Sequence, residues 1–122
     1  MKRAGVVFVM LVALVLSAAA LGADDESSAR SWKKQANDTR ATVVGVAQDL
    51  DKTGDKGNAD ARGLIADAKQ FLAKGDENLA KADAEMAKSQ FKEASSDYNM
   101  AWQYYVKAAT AGLNAQSILS GQ

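Results

Sequence analysis

The chain has 122 residues and 12.9 kDa, with 15 basic and 15 acidic side chains and no histidine, cysteine or proline. Those absences remove the Ser-His-Asp triad, the cysteine nucleophile, thiolate and imidazole metal sites and every disulfide. Any catalysis would rest on carboxylates, lysine, tyrosine or hydroxyls alone, so enzymatic function is not expected.

The charge balance changes once the N-terminus is read as a targeting segment. Lys2 and Arg3 precede an unbroken apolar run from Val6 to Leu16. Small residues follow as far as Gly22 and Ala23, and then comes acidic Asp24-Asp25-Glu26. This is the layout of a secretory signal peptide, with removal expected near Gly22 or Ala23. Taking 23 residues from 122 leaves 99, and the loss of Lys2 and Arg3 leaves 13 basic against 15 acidic groups. The domain expected over residues 24–122 is therefore slightly acidic. It has no basic stripe to neutralise phosphates, so nucleic acid is not an expected partner.

Two other readings keep more of the segment. Val6 to Ala23 is 18 residues without a charge, the lower limit for spanning a bilayer, and as an anchor it would tie the domain to a membrane. Processing after Gly5 would be pilin-like, although the acidic residue that pilins carry soon after the cut is missing. Without cysteine, a lipid anchor of the usual kind is excluded. All these readings place the domain outside the cytoplasm, periplasmic or extracellular, and membrane contact arises only if residues 6–23 are retained.

Past residue 23, 19 of the 99 residues are alanine, and no proline interrupts them, so long helices are the default. Trp32, Ala36, Thr39, Val43, Val46 and Leu50 recur at steps of four and three. They form one face of a helix predicted over about Ser27 to Asp51, which Gly45 weakens by about 1 kcal/mol relative to alanine. The stretch from Thr53 to Asn58 ends it.

A second helical series runs Ala61, Leu64, Ala68, Phe71 or Leu72, Gly75, Leu79, Ala82, Met86. Gly75-Asp76 in its middle reads either as a turn, with Gly ending one helix and Asp capping the next, or as a kink. The third series holds Phe91, Ala94, Tyr98, Ala101, Trp102, Tyr105, Ala109, Gly112, Ala115 and Leu119. The five-residue step from Met86 to Phe91 breaks phase and predicts a short connection, with Ser89 as its N-cap. The expected fold is all-α: an antiparallel up-down-up bundle of three long helices, four if Gly75-Asp76 is a turn, preceded by the apolar signal or anchor helix.

Two features carry the candidate sites. The stretch Asp49-Leu-Asp51-Lys-Thr53-Gly54-Asp55-Lys-Gly57-Asn-Ala-Asp60 resembles an EF-hand calcium loop over its twelve residues. Asp49, Asp51, Thr53 and Asp60 supply side-chain oxygens at loop positions one, three, five and twelve. Asp55 completes the candidate set at position seven, where a backbone carbonyl serves, and Gly54 stands at position six, where the turn is sharp. It departs from the pattern at Lys56, in the usual apolar position, and at Asp60, in place of the bidentate glutamate. The resemblance implies weak calcium binding, and a solvated turn between helices uses the same residue types.

The second feature is aromatic. Tyr98, Trp102 and Tyr105 share a helix face and are expected in the core opposite Trp32 and Phe71. Tyr104 points about 100° away and is the residue expected at the surface. Trp102, Tyr104 and Tyr105 are the candidates for contact with a partner. The small and large residues from Phe91 to Ala101 are similar to the second helix of a tetratricopeptide repeat, but the 34-residue period is absent and no function follows. The expected role is protein–protein contact or self-association, as an adaptor, accessory subunit or scaffold.

Overall fold

A computed structural model describes residues 24–121. The expected signal or anchor segment, residues 1–23, lies outside the described residues. Three helices follow in order, α1 (Asp25–Thr53), α2 (Ala59–Ala87) and α3 (Phe91–Ser120), and among the described residues no strand forms.

Each start and stop has a local cause. Asp24 caps α1, its Oδ1 accepting the Ser27 N–H at 2.6 Å, and Asp25 and Glu26 add negative charge in the first turn where the helix dipole favours it. Gly54 ends α1 at φ 70°, a left-handed backbone that glycine adopts without a Cβ penalty. Asn58 caps α2 by accepting the Ala61 N–H at 2.9 Å. The second connection corrects one expectation. Ser89 is not the cap of α3; it is itself the left-handed residue of the turn, at φ 59°. Gln90 takes the N-cap position without a side-chain bond.

The buried positions repeat every seven residues. In α1 the row is Ala29, Ala36, Val43 and Leu50, with Thr39 buried beside it, and in α2 it is Ala61, Ala68, Gly75 and Ala82. In α3 two such rows run side by side, Ala94, Ala101, Ala108, Ala115 and Tyr98, Tyr105, Gly112, Leu119. A seven-residue apolar repeat is the signature of coiled-coil packing. Alanine and glycine in these rows let helices approach closely.

The core is stacked in three layers. One joins Ala29, Ala82, Ala94 and Tyr98, with Trp32, Leu79 and Met86 packed against it. The middle one joins Ala36, Val43, Ala101, Tyr105, Ala108 and Ala109, and the last Leu50, Ala61, Ala115 and Leu119. The start of α1 thus meets the end of α2 and the start of α3, so successive helices run in opposite directions. α3 contributes most to the core, with both of its rows buried.

Gly75 is no turn. α2 runs through Gly75-Asp76 without a break, and the missing side chain makes room for a ring: a Cβ there would stand 2.6 Å from Tyr105 Cδ1. Gly112 plays the same part for Val46, whose Cγ1 would lie 2.7 Å from an added Cβ.

Trp102 is half-buried rather than fully in the core. It packs on Trp32 with ring centroids 5.4 Å apart, and its indole nitrogen is buried with no hydrogen-bond partner among the described residues. We expect Trp102→Ala to cost about 2–3 kcal/mol, less than a fully enclosed ring. Trp102→Phe should cost far less, because it removes the unpaired N–H while keeping much of the ring contact. Thermal denaturation of the two variants distinguishes these effects; equal losses would contradict the stacking account.

Candidate interaction surface

Polar groups on the three helices meet in a ladder with the same seven-residue step. On one rung the Tyr98 hydroxyl donates to Asp83 of α2, and Lys33 of α1 lies 3.8 Å from the same carboxylate. On the next rung Tyr105 donates to Asp76 at 2.6 Å, and Arg40 donates to both Asp76 oxygens at 2.7 and 3.2 Å. Both tyrosine rings are fully buried, so their hydroxyls need an acceptor, and the aspartates at the edge of α2 supply it.

The protonation behaviour follows from this geometry. Burial, then the neighbouring carboxylates, push both tyrosine hydroxyls far above their ordinary value. Burial would raise the Asp76 carboxyl, but the hydrogen bonds from Arg40 and Tyr105 outweigh it and hold the group below the usual carboxylate range. The Arg40 guanidinium is raised in turn, chiefly by its bond to Asp76. These groups are occupied with one another and serve the packing.

The five oxygen-bearing residues of the calcium-like loop are not drawn together. Asp49, Asp51 and Thr53 are exposed residues of the last turns of α1, and Asp60 is exposed in the first turn of α2. At about 100° per helical residue, Asp51 points away from the side shared by Asp49 and Thr53. Asp51 pairs with Lys69 at 3.1 Å. Asp55 accepts from Arg62 at 2.9 Å and from the Gly57 N–H at 2.8 Å, and these two donors, Arg62 first, lower its carboxyl. Among the described residues no group of three or more acidic side chains is placed to hold a metal ion. Calcium would have to displace Lys69 from Asp51 and Arg62 from Asp55 to gather these oxygens. A saturable shift of the amide NMR signals of residues 49–60 on titration to millimolar calcium would show that it does, and unchanged signals that it does not.

The aromatic candidates separate. Tyr105 is fully buried, as its helix face predicts, and its place among the contact candidates is corrected: it offers nothing to a partner. Trp102 is committed to Trp32. Tyr104 remains, half-buried in the groove between α2 and α3 and stacked on Phe71 at 6.4 Å between centroids. Phe71 is half-buried: it packs against the middle core layer that holds Tyr105, as expected, and also stacks on Tyr104 toward the surface.

Lys74 and Lys107 stand over the Tyr104 ring at 5.9 and 5.6 Å, and Lys107 also stands 5.9 Å from the Phe71 centroid. Such cation–π contacts are weak at exposed sites, about 0.5–1 kcal/mol. Neither lysine has a carboxylate within ion-pair distance among the described residues. Met100, one turn before Tyr104, is 43% exposed. The two lysines were not singled out in the sequence, where they read as ordinary solvated charges; only the packing of α2 on α3 brings them to the rings.

Two open clefts lie at the far end of the bundle. The larger, about 350 Å³, is lined by Leu50, Thr53, Lys56, Gln116, Ser117, Leu119 and Ser120. The smaller, about 200 Å³, borders Asp51, Asp55, Arg62 and Lys69, which are already paired with each other. No described helix is long and apolar enough to cross a membrane. No family model, curated protein or solved structure matches the chain.

Proposed function

We propose that the chain is an exported, non-enzymatic helical bundle that works by protein–protein contact, as an adaptor, accessory subunit or small scaffold. The observation that carries this reading is the Phe71–Tyr104 pair under Lys74 and Lys107, with Met100 beside it. Aromatic rings and a methionine at a surface groove offer apolar area at low entropic cost. Two ammonium groups without carboxylate partners favour a partner that brings an apolar side chain flanked by acidic ones.

Export rests on the N-terminal layout of residues 1–23. Mass spectrometry of the mature N-terminus tests this part. A start before residue 20 would defeat it.

The contact surface is tested with a photo-crosslinking side chain at position 104, compared with one at exposed Asn37 on α1. One dominant protein adduct at 104 and none at 37 is the expected result. Equal adducts at the two positions would reject Tyr104 as the centre of a contact.

A further inference from the structure

The solvent face of α2 is as regular as its buried one. Asp60, Asp67, Lys74, Lys81 and Lys88 stand seven residues apart, all exposed, on the shoulder that turns toward α3. The row is acidic in the first half of the helix and basic in the second. On the opposite shoulder Arg62, Lys69, Asp76 and Asp83 show the reverse order, but that row is matched inside the molecule by Asp55, Asp51, Arg40 and Lys33. The first row is not. Among the described residues only Lys81 has a carboxylate in reach, Asp97 at 3.7 Å.

Between the shoulders runs a seam of exposed small residues. Ala59, Ala66, Ala73, Ala80 and Ala87 alternate with Gly63, Gln70, Glu77 and Ala84 at steps of four and three, the spacing by which one helix receives another.

We infer that this face of α2 is the contact between two copies of the chain, packed antiparallel about a twofold axis near Ala73. An isologous contact of this kind requires a surface complementary to itself under the twofold rotation, and the unmatched charge row satisfies that requirement. Reversed on itself, it sets Asp60 opposite Lys88 and Asp67 opposite Lys81 of the second copy, each pair occurring twice. In the seam Gln70 comes opposite Glu77, where its amide N–H donates to the carboxylate, again twice. Alanine and glycine elsewhere let the helices approach to about 8 Å, which brings the flanking charges within reach. Lys74 alone meets its own copy across the axis, and its ammonium leans toward the Tyr104 ring. Because the seam buries little apolar area, charge governs the association, and salt weakens it. The Tyr104 surface shares Lys74 with this face but none of the other charged or seam residues, so the charge-reversal and cysteine variants test the dimer contact without altering Tyr104, Phe71 or Lys107.

The test uses the full chain, purified as its host processes it, in sedimentation velocity up to about 100 μM at low and high salt. A concentration-dependent dimer that salt dissociates is expected. The pair Asp60→Lys with Asp67→Lys makes the row wholly basic. The pair Lys81→Glu with Lys88→Glu makes it acidic apart from Lys74. Each double variant alone should be monomeric, and an equimolar mixture should recover the dimer. The chain has no native cysteine, so Ala66→Cys and Ala80→Cys report direction cleanly: oxidised mixtures should join position 66 to position 80 in preference to 66 to 66.

A wild-type monomer throughout the range overturns the inference. So do charge variants that dimerise alone as strongly as wild type, even with a lower melting temperature, since acidic starts and basic ends also favour a single helix through its own dipole. Preferential joining of 66 to 66 overturns the antiparallel arrangement. The cysteine result holds even if a charge variant fails to fold.

Discussion

Replacing Tyr105 by alanine is expected to lower the unfolding free energy by about 3–5 kcal/mol, the range for truncating an enclosed aromatic ring. Tyr105 is fully buried in the middle core layer, against the gap that Gly75 leaves, and its hydroxyl donates to Asp76. Tyr105→Phe separates ring from hydroxyl. It keeps the ring and leaves Asp76 with Arg40, so the cost should be about 1–1.5 kcal/mol. Urea denaturation measures both; a Phe variant as unstable as the Ala variant would mean that the ring packs poorly.

Gly75→Ala gives the sharper check, because its sign should reverse with the background. In the native chain the added Cβ meets Tyr105 Cδ1 at 2.6 Å, and displacing a packed ring outweighs the roughly 1 kcal/mol that alanine gains over glycine in a helix. In the Tyr105→Ala background the space is open and the same change should stabilise. The difference is the coupling energy of the pair. Additive effects would show that the ring does not rest on Gly75.

The second large effect is alkaline unfolding above pH 10. Tyr98 and Tyr105 are held protonated in the folded chain, first by burial and then by Asp83 and Asp76. Their folded pKa values therefore lie above the unfolded value of about 10. Below pH 10 both states keep these protons and stability does not depend on them. Above pH 10 the unfolded chain releases protons that the folded chain retains, so stability falls as pH rises. The limiting slope is about 1.4 kcal/mol per pH unit for each tyrosine. Two such groups make the fall steep, and Tyr98→Phe with Tyr105→Phe should flatten it. An unchanged slope in that double variant would show that other groups drive the alkaline transition.

On the acid side the signs are mixed. Asp76, lowered on balance by Arg40 and Tyr105, contributes stability that is lost as pH falls through its folded value. Glu85, raised chiefly by the neighbouring Asp97 carboxylate and then by burial, works the other way: its protonated form is favoured in the fold, and that contribution fades as pH rises through its folded value.

The three helices could be read from the chain because their signals are local. Missing proline, abundant alanine, Gly54 and Asn58 at the first break and the phase slip after Met86 all act within a few residues. Gly75-Asp76 stayed open between a turn and a kink for the same reason. A glycine followed by aspartate has the local form of a helix end, and only Tyr105, thirty residues later, explains a glycine inside a helix. Ser89 failed as a cap because its backbone conformation was needed for the turn. The calcium-like loop had suitable residue types at suitable spacings, but α1 continues to Thr53 and the lysine and arginine of α2 take two of the carboxylates.

Length, composition and charge therefore decided which chemistry was available. Without histidine or cysteine the catalytic and metal centres built on them are out of reach, and without proline nothing of that kind interrupts a long helix. These are properties of residue types and need no neighbours. The tertiary structure decided how the remaining groups were used. Equal numbers of acidic and basic side chains say nothing about pairing; the antiparallel register of α1 and α2 sets Lys33 and Arg40 opposite Asp83 and Asp76, and α3 closes each rung with a tyrosine. The same packing buries Tyr105, leaves Tyr104 under two lysines, and leaves one charged row of α2 with a single internal ion pair, Lys81 with Asp97. Which groups meet depends on helices brought together from distant parts of the chain, and no local pattern encodes that.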